Sequence, residues 1–84
     1  MQFEWSERFT RDYRRLSTED QEKIDGALRR FSSNPRHPGL HLKKMKGTES
    51  IWEIRASDNH RITFQFDINV ILRRVGTHDV LRNP

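Results

Sequence analysis

The sequence contains no cysteine, which excludes a disulfide scaffold, a thiol nucleophile and a cysteine-ligated zinc finger. Long apolar runs are missing too: the longest is Val70-Ile71-Leu72, far short of a membrane-spanning segment. Hydrophobic residues make up only 32% of the chain against 33% charged, so every apolar side chain has to contribute to the core. Neither a glycine-rich phosphate loop nor a nucleophile elbow is present, which argues against the NTPase and serine-hydrolase classes. The start, Met1-Gln2-Phe3-Glu4, lacks the basic-then-apolar layout of a secretory signal. The expected setting is therefore the cytoplasm, with no membrane partner.

What is present argues for one folded domain over residues 1–84. Five phenylalanines, two tryptophans and one tyrosine recur with clear periodicity, which separates the chain from disordered sequences of similar charge. The net charge is +4, and the excess lies late: residues 40–84 hold 8 Lys/Arg against 5 Asp/Glu, while residues 1–39 hold 8 against 7. His37, His41, His60 and His78 all fall after residue 36. A basic domain of this kind fits a polyanionic partner, whether nucleic acid, ribosome or acidic protein.

The chain divides into helices followed by strands. Trp5, Phe9, Tyr13 and Leu16 recur at helical spacing and predict a first helix over residues 5–16, capped by Ser6. Ser17 or Thr18, followed by Glu19 and Asp20, starts a second helix that runs to about Ser32 and buries Ile24, Ala27, Leu28 and Phe31. So short a joint predicts a helical hairpin. Residues 32–39 break the pattern with Asn34-Pro35 and Pro38-Gly39. Period-two alternation then predicts strands opening at Leu40 and Leu42, and over residues 51–55, 61–66 and 70–75. The predicted fold is α+β: a two-helix hairpin packed on one face of a twisted, mostly antiparallel four-stranded sheet.

Parity assigns the faces. Trp52 and Ile54 oppose Glu53 and Arg55, and Ile62, Phe64 and Phe66 oppose Arg61, Thr63 and Gln65. An odd-length loop around residues 57–59 is needed to set apolar against apolar, and it places Glu53, Arg55 and Arg61 together on the face away from the helices. Lys43, Lys44 and Lys46 flank them. Arginine can hold a phosphate and stabilise charge building on it, a carboxylate can take a proton from a ribose 2′-OH, and a histidine can protonate a leaving 5′-oxygen. Those parts suffice to cleave RNA through a 2′,3′-cyclic phosphate without a metal or other cofactor. The same residues also read as a solvated sheet face laced with ion pairs. Strict alternation from Val70 and Leu72 sends His78 toward the helices, unless Gly76 supplies a bulge that re-aims the strand end.

Leu42-Lys43-Lys44-Met45-Lys46-Gly47, Ile51-Trp52-Glu53-Ile54-Arg55, His60-Arg61-Ile62-Thr63-Phe64 and Arg74-Val75-Gly76-Thr77-His78-Asp79, in that order behind a helical hairpin, resemble the RelE/ParE toxin superfamily. The resemblance implies the toxin of a type II toxin–antitoxin module that cuts mRNA on the ribosome, with a cognate antitoxin as partner. Arg61 matches the arginine on the scissile phosphate of the RNase branches. Glu53 and Arg55 fall where RelE carries two lysines, and His78 where YafQ and YoeB have a catalytic histidine. The resemblance thus implies a catalytic set of Arg61, His78, Glu53 and Arg55. RNA binding falls to Lys43, Lys44, Lys46, His41 and Arg82; related toxins place a Tyr or Phe just after the histidine, where this chain reads Asp79-Val80-Leu81-Arg82 and offers the guanidinium plane of Arg82 for stacking. Two alternatives share the scaffold: a ParE-like DNA gyrase inhibitor, and a degenerate homologue that only binds antitoxin.

Overall fold

Two serines start the helices. In the computed structural model, which describes all 84 residues, Ser6 Oγ accepts the Phe9 amide at 3.1 Å and Ser17 Oγ accepts the Asp20 amide at 3.1 Å. Each hydroxyl satisfies a donor that has no partner within its own helix, and acidic residues in each first turn complement the helix dipole. The helices are α1, Glu7–Arg15, and α2, Thr18–Ser33. They lie on a sheet of five strands: β1 (Phe3–Trp5), β2 (Lys43–Lys44), β3 (Trp52–Arg55), β4 (Arg61–Phe66) and β5 (Val70–Gly76), in the order β1-β5-β4-β3-β2. A short 3-10 turn at Pro38–Leu40 links α2 to β2, and another at His78–Arg82 follows β5.

The α+β class, the hairpin and both caps agree with the sequence reading; the strand count does not. The sheet has five strands rather than four and is mixed, because β1 pairs in parallel with Val70, Ile71 and Leu72 of β5. Residues 3–5 are too few to display alternation. Trp5 stands four before Phe9, which mimics helical spacing, and its ring does pack edge-on to Phe9 at 4.8 Å, but from a strand. The strand expected from Leu40 is likewise shorter. His37 Nδ1 accepts the Gly39 amide and holds Leu40 in a turn, His41 bends the chain with φ 48°, and pairing begins only at Lys43.

The odd loop is present: residues 56–60 join β3 to β4, with Ile54 opposite Ile62 and Trp52 opposite Phe64. Apolar residues therefore meet on one face, where Ile54, Ile62, Phe64 and Leu72 are fully buried against Phe9, Ile24 and Phe31. The bulge lies at Arg73, not at Gly76. Thr63 pairs with Arg74 and Phe64 with Leu72, which leaves Arg73 as the extra residue. Parity along β5 resets there, so Leu72 and Val75 both face the core although three residues apart, and Gly76 turns to the opposite face.

β1 stops at Trp5 while β5 continues, and α1 takes over its exposed edge. The Ser6 amide donates to the Leu72 carbonyl at 3.1 Å and the Ser6 hydroxyl to the Arg73 carbonyl at 3.1 Å. Asp12 Oδ2 then accepts the Val75 amide at 3.1 Å and Arg74 Nε at 2.6 Å, while Oδ1 accepts Arg74 Nη2 at 3.2 Å. Asp12→Ala strands a strand-edge amide and a part-buried guanidinium together, and is expected to cost about 2–3 kcal/mol in urea unfolding. Asp12→Asn, which keeps an acceptor for Val75, should cost less.

Tyr13 ties the two helices, its hydroxyl donating to Asp25 Oδ1 at 2.8 Å. Burial, then the bond to Asp25 and that carboxylate's charge, push the phenol above its ordinary value of 10.0. The folded state thus favours the neutral phenol. Its contribution is fully present below about pH 10 and is lost as pH rises through the raised folded value. Tyr13→Phe should cost about 1 kcal/mol at neutral pH and lessen the fall in melting temperature above pH 10.

Candidate functional site

Cross-strand register places Arg55 directly opposite Arg61, and Glu53 between Lys43 on one side and Thr63 on the other. Arg55, Arg61 and Glu53 therefore do share the face away from the core. Two guanidiniums facing each other across a strand pair repel. Arg61 turns toward the 56–60 loop, where its Nη1 donates to the carbonyls of Ser57 at 3.1 Å, Asp58 at 3.4 Å and His60 at 3.0 Å. One nitrogen is thereby committed to the backbone, and the remaining N–H groups of the fork are left for an anion.

His60 holds that loop. It is 7% exposed, with Nδ1 2.8 Å from Ser57 Oγ and Nε2 3.6 Å from Asp20 Oδ2 at the start of α2. The orientation of Arg61 thus depends on a contact between the loop and a helix forty residues earlier. Sequence reasoning did not single out His60, Asp20 or Ser57 for a part in the site; Ser57 and His60 meet within the loop, but no spacing signal links Asp20 to them, since only the packing of α2 over the sheet end brings it there.

Arg61 and His78 line the same open cleft, of about 480 Å³, between the loop and the first turns of α2, where Asp20 and Lys23 form the far wall. His78 reaches it because of the bulge: with parity reset, β5 ends on Gly76, and the following turn folds back over the sheet with Val80 buried. On the other side of the loop, Arg55 and His41 line a second open cleft with Arg30. Glu53 lies in neither. It is 6% exposed and its Oε1 sits 3.4 Å from Lys43 Nζ. Lys44 and Lys46 are exposed at the β2 edge, and Arg82 is exposed at the end of the C-terminal turn. Of all the lysines and arginines, only Lys23, Lys43 and Arg74 lie within ion-pair distance of a carboxylate, so most of the positive charge faces solvent unneutralised.

No protein-family model matches the sequence, and no curated protein matches it. Solved structures do match in shape. YafQ from E. coli strain BL21(DE3) superposes with a TM-score of 0.78 at 14% identity, covering 95% of this chain and 96% of that one. The YoeB/ParE toxin from Agrobacterium tumefaciens gives 0.74 at 20%, covering 93% and 99%. The RelB–RelE antitoxin–toxin complex from Methanococcus jannaschii gives 0.67 at 22%, covering 94% of each chain. The fold is that of the RelE/ParE-like toxins.

In this RelE-like fold the turn carrying His78 rests on the sheet only because position 76 has no side chain. A Cβ there would stand 2.7 Å from Val80 Cγ1, too close for a branched residue in a packed turn to absorb. Gly76→Ala is therefore expected to lift the turn and move His78, with loss of amide exchange protection at Val80, whose N–H bonds the Thr77 carbonyl at 3.0 Å. Adding Val80→Ala should restore that protection in part.

Proposed function

We propose that this chain is the toxin of a type II toxin–antitoxin pair, an endoribonuclease that cuts mRNA on the ribosome and so arrests translation. The observation that carries the reading is the shared cleft of Arg61 and His78, with the guanidinium oriented by three backbone carbonyls and its outer N–H groups free. In this mechanism a ribose 2′-OH attacks the adjacent phosphorus, the 5′-oxygen leaves, and a 2′,3′-cyclic phosphate remains. Arg61 stabilises the charge that accumulates on the phosphoryl oxygens, and Arg55 across the strand pair adds a second positive group. His78 protonates the departing 5′-oxygen.

Glu53, on the same face but outside the Arg61–His78 cleft, is the carboxylate assigned to take the 2′-OH proton. It faces Lys43 in the free protein, and serves as base once Lys43 turns to an RNA phosphate. Lys44, Lys46, His41 and Arg82 hold the strand on either side. A cleft this open supplies few positioning groups of its own, so the ribosome provides the alignment of the reacting atoms. The antitoxin follows from the company of the fold: its solved neighbours include the RelB–RelE complex and the E. coli DinJ–YafQ toxin–antitoxin complex. An acidic amphipathic segment that covers the basic face fits the charge. No helix is long and apolar enough to cross a membrane.

Controlled expression with separate pulse labelling of protein and DNA synthesis tests the reading. Wild-type protein should stop protein synthesis first, and Arg61→Ala, folded by circular dichroism, should lose at least about a hundredfold in cleavage. Early loss of DNA synthesis, or an Arg61→Ala variant as toxic as wild type, overturns it.

A further inference from the structure

The outer face of α1 carries four arginines that the Arg61–His78 site does not use. Arg8, Arg11 and Arg15 recur at positions i, i+3 and i+7 and form one helical stripe. With Arg74, Asp12 and Asn83 they line an open cleft of about 320 Å³ that shares no residue with the Arg61–His78 cleft. Asp12 is its one acid, and both carboxylate oxygens are already committed to Arg74 and the Val75 amide. Arg8 Nη2 donates to the Asn83 carbonyl at 3.0 Å, which stretches its guanidinium across the cleft. Arg11 and Arg15 are exposed and pair with no carboxylate.

Arg11 also lines the adjoining cleft, together with Trp5 and Arg14, so the two depressions form one continuous strip. Trp5 is 43% exposed, although its ring is fixed edge-on against Phe9 and Tyr13, at 4.8 Å from each. A rigid, half-open indole beside a row of guanidiniums combines a stacking surface with phosphate forks. An acidic peptide would match the charge but has no use for the indole face. From Arg8 to Arg15 the helix rises about 10 Å, the length over which one stacked strand presents about three phosphates. Glu7, the other acid of the strip, lies beside Trp5 and not among Arg8, Arg11 and Arg15.

We propose that this face of α1 is a second nucleic-acid site, separate from the Arg61–His78 cleft, in which Arg8, Arg11 and Arg15 hold consecutive phosphates of a single strand and Trp5 stacks on a base at one end, while Arg74, paired with Asp12, forms the floor. The inference does not rest on the cleavage reading. It requires phosphodiester binding and stacking only, and it stands whether or not the chain cuts RNA.

The test uses the full chain carrying Arg61→Ala and His78→Ala, which removes the two central groups of the other cleft, and Trp52→Phe, which leaves Trp5 as the single indole, so that binding at α1 is read from Trp5 emission and from the α1 variants. Fluorescein-labelled oligouridylate and oligothymidylate are titrated by anisotropy at several salt concentrations, and indole emission is read in parallel with unlabelled oligomers. Binding should quench Trp5. Arg11→Gln with Arg15→Gln should lower the slope of log affinity against log salt by about 1.4, since each phosphate contact on a single strand contributes about 0.7. Trp5→Leu should weaken binding about tenfold while leaving that slope unchanged. Equal affinity for the two oligomers upholds the site as one for backbone and base; preference for oligouridylate upholds it and identifies RNA as the source. Unchanged indole emission, an unchanged salt slope in the double glutamine variant, or competition by polyglutamate as effective as by oligomer overturns the proposal. Translation arrest by the wild-type chain is read separately, so failure here leaves the cleavage reading untouched.

Discussion

One carboxylate joins the parts of this protein that would otherwise come apart. β5 is the strand between the short β1 and the rest of the sheet, and beyond Leu72 it has no strand on its outer side. Asp12 fills that gap by accepting the Val75 amide and the Nε and Nη2 groups of Arg74, so a helix side chain does the work of a missing strand partner. An open sheet edge invites pairing with another chain. Here it is closed by α1, and Arg74 passes the restraint onward by donating to the Asn83 carbonyl past the C-terminal turn. Helix, edge strand and terminal turn are thus held by one cluster of polar bonds.

That arrangement matters because the apolar core is small. The buried cluster amounts to thirteen side chains centred on the Phe31–Phe64 contact, whose ring centroids stand 4.9 Å apart. A core of this size leaves little surplus stability, and directional bonds at its margin set the relative positions of the elements. The same economy shows at the other end of the sheet, where His60, between Ser57 and Asp20, secures the β3–β4 loop to α2 with one imidazole.

Function, on the reading advanced above, uses the same devices. The Arg73 bulge aims the end of β5, Gly76 lets the following turn lie against the sheet, and His78 arrives in the cleft of Arg61. The loop carbonyls take one nitrogen of Arg61 and leave its outer edge open. Repulsion between Arg55 and Arg61 is tolerated in the free protein, and a bound phosphate between them would relieve it. Charge that the fold leaves unneutralised is then charge held ready for a polyanion.

Local chemistry was legible without a structure: both serine caps, the helical hairpin, the three long strands, and the parity that required an odd loop and gathered Glu53, Arg55 and Arg61 on one face. These depend on contacts within a few residues or on strict alternation, which the order of residues encodes directly. What escaped depends on contacts distant in sequence. Three residues of β1 carry no period of their own and become a strand only because β5 offers them an edge. The bulge at Arg73 resets parity within β5, so alternation counted from Val70 and Leu72 does not carry through to His78. Lys43 was expected to flank Glu53, but only the β2 register set it directly opposite, with Glu53 buried beneath it. Sequence alone determined which residues could share a face. Packing of α1 and α2 decided which of them meet, because a one-residue slip along a strand reverses every side chain beyond it.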